Sequence, residues 1–147
     1  MQQLSGKKCL LDTNVLVALI NKEHKEHQKA VNLFEKLTAH EFQAFISSQN
    51  LFELVAVLVH GYKILRNEAA RSVELLSSDE LLEIVYPDYK TVEKFFTLVK
   101  NENNIHVADL FLIATAISFR IEIIISGDRE LKNLRTKEIK IFNPFER

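Results

Sequence analysis

Cys9-Leu10-Leu11-Asp12-Thr13-Asn14 is the stretch on which the fold turns. Three consecutive apolar residues suit a strand buried on both faces, and the acid that follows at once marks its carboxyl end. Asn14 to Ile20 then has helical spacing, with Asn14 as the expected cap. The strand-then-helix order recurs down the chain. His24 to Leu37 places Ala30, Val31, Phe34 and Leu37 on one face of an amphipathic surface helix. Phe42 to Ile46 reads as a strand, and Ser47-Ser48 offer a cap to Gln49–His60, a nearly all-apolar helix closed by Gly61 and expected to be buried. Helices follow at Asn67–Leu76, from Pro87-Asp88 to about Lys100, and at Val107–Phe119. Strands are expected at Leu81–Val85, Ile121–Ile125 and Ile139–Phe142, with a short helical turn at Asp128–Leu131. Such alternation implies an α/β fold with a parallel sheet covered on both faces, whose ligand crevice lies at the carboxyl ends of the strands.

Composition narrows the class. The 147 residues hold 19 basic and 20 acidic side chains and are 47% apolar, which excludes a disordered tail and a polybasic nucleic-acid arm. Gly 3 and Pro 2 are few where average usage gives roughly ten and seven, favouring long helices over many short strands. No repeat or linker divides the sequence, so residues 1–147 are read as a single domain. The lone Cys9 excludes an internal disulfide and a multi-thiolate zinc site. A polar N-terminus and the lack of a long apolar run point to a cytoplasmic protein with no membrane partner.

Four acids stand where acids are expensive. Asp12 and Asp128 each follow a buried strand, at the end where the crevice lies. Glu53 is the only charge in Leu51–Val59, and Asp109 the only one in Val107–Ala114, so neither has a local cation. An uncompensated buried carboxylate costs several kcal/mol and needs a cation, hydrogen bonds or a raised pKa. Capping accounts for Asp12 and Asp128 singly, and a first-turn position suits Asp109, but neither explains Glu53. Converging carboxylates repel one another, and hard divalent cations such as Mg²⁺ resolve that repulsion. A site of this kind supports phosphodiester hydrolysis without a His or Lys base.

Taken in order, Leu11-Asp12-Thr13-Asn14-Val15-Leu16, Glu53 in its helix, Asp109-Leu110-Phe111-Leu112-Ile113-Ala114 and Ser126-Gly127-Asp128-Arg129-Glu130-Leu131 resemble the PIN domain, most closely that of VapC-type toxins. The resemblance runs from Cys9 to Phe142. It implies a three-layer α/β/α sandwich around a short parallel sheet and an endoribonuclease dependent on Mg²⁺ or Mn²⁺. Asp12, Glu53, Asp109 and Asp128 match the family's acidic quartet, while Asn14 and Ser126 match its polar supporting positions. Homodimerisation and an antitoxin partner, engaging the region from Gln49 to Leu76, follow from the same likeness. The family often carries a basic residue where Gly127 stands and Asp where Glu130 stands. An alternative within the fold is a catalytically silent PIN-like module that binds RNA or protein. A phosphatase of the haloacid-dehalogenase kind would place an Asp where Asn14 stands.

The remaining candidates are weaker. His24 and His27 have zinc-compatible spacing but lack a third ligand, and are expected on the solvated surface. His106 is read first as a helix-start residue and second as a phosphate contact. Cys9 is expected to fill the core. With a net charge of −1, RNA must be held locally, and Lys63, Arg66, Arg71 or Arg129, Lys132, Arg135 are the basic clusters available.

Overall fold

The structure, a computed structural model, describes residues 3–146. Five strands, β1 (Lys8–Leu11), β2 (Gln43–Ser47), β3 (Leu82–Val85), β4 (Ile123–Ile125) and β5 (Lys140–Phe142), form one sheet in the order β3-β2-β1-β4-β5. Every neighbouring pair is parallel. Register places Leu10 beside Phe45 on one side and beside Ile124 on the other.

Six α-helices cover the two faces. The helices α1 (Thr13–Ile20), α2 (His27–Thr38), α3 (Ser48–Ala56) and α4 (Arg66–Ser77) pack Val15, Leu16, Leu33, Leu37, Leu54 and Val73 against Cys9, Leu11, Ile46 and Ile125. On the other face, α5 (Tyr89–Asn101) and α6 (Val107–Ser118) pack Leu98, Leu110 and Ile113 against Leu10, Phe45 and Ile124. Alternate residues of each strand thus feed opposite cores, and the three-layer α/β/α sandwich follows directly from apolar strands with a period of two.

Local chemistry sets the helix ends. Asp88 caps α5 in a capping box with Thr91, and Ser47 caps α3 through the Gln49 N–H at 3.2 Å. Of the two caps expected for α1, Asp12 and Asn14, Asp12 takes the role, because its carboxylate already lies 2.7 Å from the Thr13 N–H as β1 ends. The apolar run from Gln49 to His60 is not the uniformly buried helix its composition suggests. After Ala56 it relaxes into a π-turn, Val57–Gly61, in which the Tyr62 N–H reaches the Val57 carbonyl at 3.1 Å. Only Leu54 and Leu58 of its apolar side chains are fully buried, while Phe52 is 77% exposed. Phe52, Ala56 and Val57 wall a cleft, while Leu51, Val55 and Val59 pack partly exposed against the core. Among the described residues no helix is long and apolar enough to cross a membrane.

Chain order fixes the place of the crevice. From β1 the chain steps outward through β2 to β3, then returns to the far side of β1 for β4 and β5, so the switch lies between β1 and β4. Leu16→Ala, at a fully buried position, is expected to cost roughly 2–5 kcal/mol in urea unfolding, against under about 0.5 kcal/mol for Phe52→Ala. Equal costs at the two positions would contradict this placement of the core.

Candidate active site

Asp12 sits at the switch point. Its N–H donates to the Ile125 carbonyl at 2.9 Å, which extends the pairing of β1 and β4 by one residue. Its carboxylate is only 8% exposed and accepts three hydrogen bonds: from the Thr13 N–H at 2.7 Å, the Ser126 hydroxyl at 2.7 Å and Asn14 Nδ2 at 3.1 Å. Ser126 Oγ in turn accepts from the Asp128 N–H, and Asn14 Oδ1 accepts from the Gly127 N–H at 2.9 Å. Asn14 and Ser126 therefore tie the end of β1 to the loop that carries Asp128.

Glu53 approaches from α3, on the opposite wall. Thr13 Oγ1 donates to it at 3.1 Å and itself accepts from Asn50 Nδ2 at 2.9 Å. Asp109 lies in the first turn of α6 and, among the described residues, receives no side-chain hydrogen bond. Asp128 caps the 3₁₀ turn Arg129–Asn133, accepting from the Glu130 N–H at 2.8 Å. All four acids line one cleft of about 430 Å³, with Phe52, Val57 and Tyr62 among its apolar walls. A smaller recess of about 50 Å³ beneath it is bounded by Asp12, Asn50, Glu53 and Asp109. Among the described residues no Lys or Arg lines either space.

The electrostatics record that crowding. Burial pushes the Asp12 carboxyl up to about 6; the hydrogen bonds from Ser126 and Thr13 restrain the rise, and the charges of Asp109 and Glu53 add to it. Asp109 is also raised, first by desolvation and then by Asp128, Glu53 and Glu130, with His106 acting against them. His106 is the N-cap of α6, its Nδ1 accepting from the Ala108 N–H at 3.3 Å, so its first role is at the helix start.

The PIN domain family matches residues 9–137. The chain belongs to the PIN-domain family. A VapC ribonuclease of Aquifex aeolicus (strain VF5) is 28% identical to it over 138 residues, which span 93% of this chain and 97% of that protein. Among solved structures, VapBC2 from Rickettsia felis, bound to a DNA fragment from their promoter, aligns with a TM-score of 0.70 at 23% identity over 92% of this chain and 97% of that one. VapC20 of Mycobacterium tuberculosis, a sarcin-ricin loop cleaving toxin, aligns with a TM-score of 0.69 at 16% identity, covering 89% and 98% of the two chains.

The donor set of this PIN domain fits a hard divalent cation in kind, being all carboxylate oxygen with no Lys or Arg among the described residues that line the cleft. A second sign is Asn50, 3% exposed on the wall of the recess, whose Oδ1 has no hydrogen-bond partner. An orphaned buried acceptor is costly, and a hydrated cation brings water donors. Among the described residues no three His, Cys, Asp or Glu side chains form a ready-made ligand group, so holding an ion requires the carboxylates to turn inward from the walls.

Sequence reading brought the four acids together with Asn14 and Ser126 in support; the structure lines the cleft with the acids and Asn14 and buries Ser126 behind Asp12, while Thr13 and Asn50 had been assigned nothing. Asn50 lies one turn before Glu53 in a helix otherwise apolar beside it, a spacing that signals a shared face. Of the basic candidates only Arg129 stands beside the acidic cleft, where it lines a neighbouring one. Lys63, Arg66 and Arg71 are exposed and line none of the clefts described, and Lys132 pairs with Glu146. His27 is not solvated as expected: half-buried, its Nδ1 meets the Ala18 carbonyl at 2.8 Å and ties α2 to α1. Cys9 is fully buried and its thiol is pushed up to about 12 by burial and by Glu122, as a core filler requires.

A carboxyl whose proton is held more tightly in the folded chain destabilises the fold as pH rises through its titration. Asp109→Asn therefore raises the melting temperature of the metal-free protein at pH 7, by roughly 1–3 °C, and the gain shrinks on acidification. Thermal unfolding in chelator checks this, and a lower melting temperature for the variant would contradict the repulsion.

Proposed function

We propose that this chain is a VapC-type endoribonuclease, dependent on Mg²⁺ or Mn²⁺, that hydrolyses phosphodiester bonds of single-stranded RNA in the cytoplasm as the toxin of a toxin–antitoxin pair. One observation carries the reading: Asp12, Glu53, Asp109 and Asp128 line a single cleft at the sheet's switch point with no protein cation among them. The relative's name, VapC ribonuclease, supports the activity. A toxin–antitoxin complex from Klebsiella pneumoniae, aligned with a TM-score of 0.68 at 20% identity over 94% of this chain and 98% of that one, supports the fold beneath it.

The four acids are the residues that would hold the cation. Bound there, a divalent cation supplies charge neutralisation at the phosphate and lowers the pKa of water. The chain's own residues contribute positioning. Asp12 is held rigid by Thr13, Asn14 and Ser126, so its place in the cleft is set before any ligand arrives. Glu53 is oriented by Thr13, which Asn50 fixes in turn. Asp109, without a side-chain hydrogen bond, is free to swing toward the centre. Phe52 and Tyr62, exposed beside the acids, offer apolar surface to unpaired bases, and RNA reaches them only as a single strand. The same exposed surface, continued by Leu65, suits a second copy of the chain or an antitoxin segment.

Asp12→Asn and Asp109→Asn are expected to lower Mg²⁺-dependent cleavage of single-stranded RNA by more than about a hundredfold while leaving the circular dichroism unchanged. Ser126→Ala, which removes one support of Asp12, is expected to lower it by about 10–100-fold. Full cleavage by a folded Asp109→Asn variant, or cleavage undiminished in chelator, would overturn the proposal.

A further inference from the structure

A second cleft of about 420 Å³ opens beside the acidic one and shares Asn14, His24 and Asp128 with it. That volume falls within the range of about 300–1,000 Å³ typical of small-ligand sites. Its lining mixes Lys25 and Arg129 with Glu26, Asp128 and Glu146. Glu26 and Glu146 on its walls are engaged by Lys29 and Lys132, whereas Lys25 and Arg129 enter no ion pair among the described residues. Two unpaired cations thus share this space with Asp128, next to the cleft that holds the other three acids.

Phe145 gives this space an aromatic wall. Its N–H donates to Asn143 Oδ1 at 2.9 Å, its carbonyl accepts from Lys29 Nζ at 2.7 Å, and Asn143 Nδ2 donates to the Gly127 carbonyl at 3.4 Å. The ring lies against Gly127 so closely that a Cβ there would stand 2.5 Å from its Cδ2, and only glycine admits it. Asn143 and Phe145 are thereby fastened to the loop that carries Asp128, with the half-buried ring beside Arg129. An anchored aromatic beside unpaired cations is the composition that holds one nucleotide of a single strand, the ring stacking a base and the cations taking its phosphate.

We propose that this second cleft is the subsite for the nucleotide adjoining the scissile phosphate, with Phe145 stacking its base and Arg129 and Lys25 holding its phosphate. The proposal rests on the ribonuclease reading above. A strand whose scissile phosphate lies among the four acids passes Asp128 and Asn14 to enter this space, since both residues belong to both clefts. The two contacts differ in their response to salt. Phosphate neutralisation releases counterions, and stacking does not.

The test is fluorescence anisotropy of a labelled single-stranded RNA octamer with the full chain, titrated at several salt concentrations, together with a cleavage assay of the wild-type chain in Mg²⁺. Arg129→Ala is expected to weaken binding roughly tenfold and to flatten the slope of log affinity against log salt by about 0.7, the value of one phosphate contact on a single strand. Phe145→Leu, which keeps apolar packing at the chain end, is expected to weaken binding roughly tenfold with the slope unchanged, and Phe145→Tyr to restore it. Lys90→Ala, an exposed cation lining neither cleft, serves as the control and leaves affinity within about twofold. Should wild-type chain bind and cleave RNA while Arg129→Ala and Phe145→Leu bind as tightly as wild type, the subsite is overturned and the ribonuclease reading stands. Should wild-type chain neither bind nor cleave RNA, the ribonuclease reading falls and takes the subsite with it.

Discussion

A carboxylate buried without a cation is the constraint on which the rest of this structure depends. Asp12 is 8% exposed at the end of the central strand, and the chain meets the cost of its charge with three donors drawn from α1 and the loop after β4. Those donors are themselves committed. Ser126 Oγ also receives the Asp128 N–H, and Asn14 also receives the Gly127 N–H, so satisfying one buried acid fixes the path of the neighbouring strand's exit loop. Asp128 is placed by this network as much as by its own turn. The end of the sheet at the switch point is built around a group that the core alone would exclude.

Around that centre, stability and chemistry make opposite demands. The raised carboxyls of Asp12 and Asp109 show that the metal-free cleft works against the fold, since both hold protons more tightly than an exposed acid does. The opposing stabilisation comes from elsewhere. Fully buried Leu10, Leu11, Ile46, Ile124 and Ile125 pack both faces of the sheet, and none of them touches the cleft. Segregation of this kind lets the strand ends carry mutual repulsion while the strands beneath remain rigid.

Much of this was legible in the sequence, because the deciding features are local. Strand runs such as Ile123-Ile124-Ile125 and the acid after Leu11 announce themselves by period and by contrast, and all four acids, with Asn14 and Ser126, meet where the alternation of strands and helices places them. What escaped depends on contacts distant in the chain. Asp12 was legible as a cap, but not that its carboxylate is aimed by Ser126, 114 residues away, nor that Asn14, also read as a cap, instead ties β1 to the loop after β4. The run from Gln49 to His60 looked buried, because composition cannot tell a cleft wall from a core, and nothing local marks the π-turn that opens at Val57. Phe145 drew no reading at all, and its significance rests on a glycine 18 positions earlier that leaves room for its ring.

The near-neutral net charge of −1 hides an arrangement with a thermodynamic consequence. On the proposed reading the cleft presents four carboxylates to a polyanion, while the nearest unpaired cations, Lys25 and Arg129, lie in the adjoining space. RNA then approaches a metal-free chain by the basic side alone, and the scissile phosphate is repelled from the acidic one. Neutralising the acids removes that repulsion, so whatever factor the cation adds to RNA affinity, bound RNA adds to cation affinity by the same factor. Such reciprocity makes each ligand a poor occupant alone and a good one in company. The two clefts act together because Asp128 and Asn14 belong to both, which is the physical reason the exit loop after β4 is tied down so thoroughly.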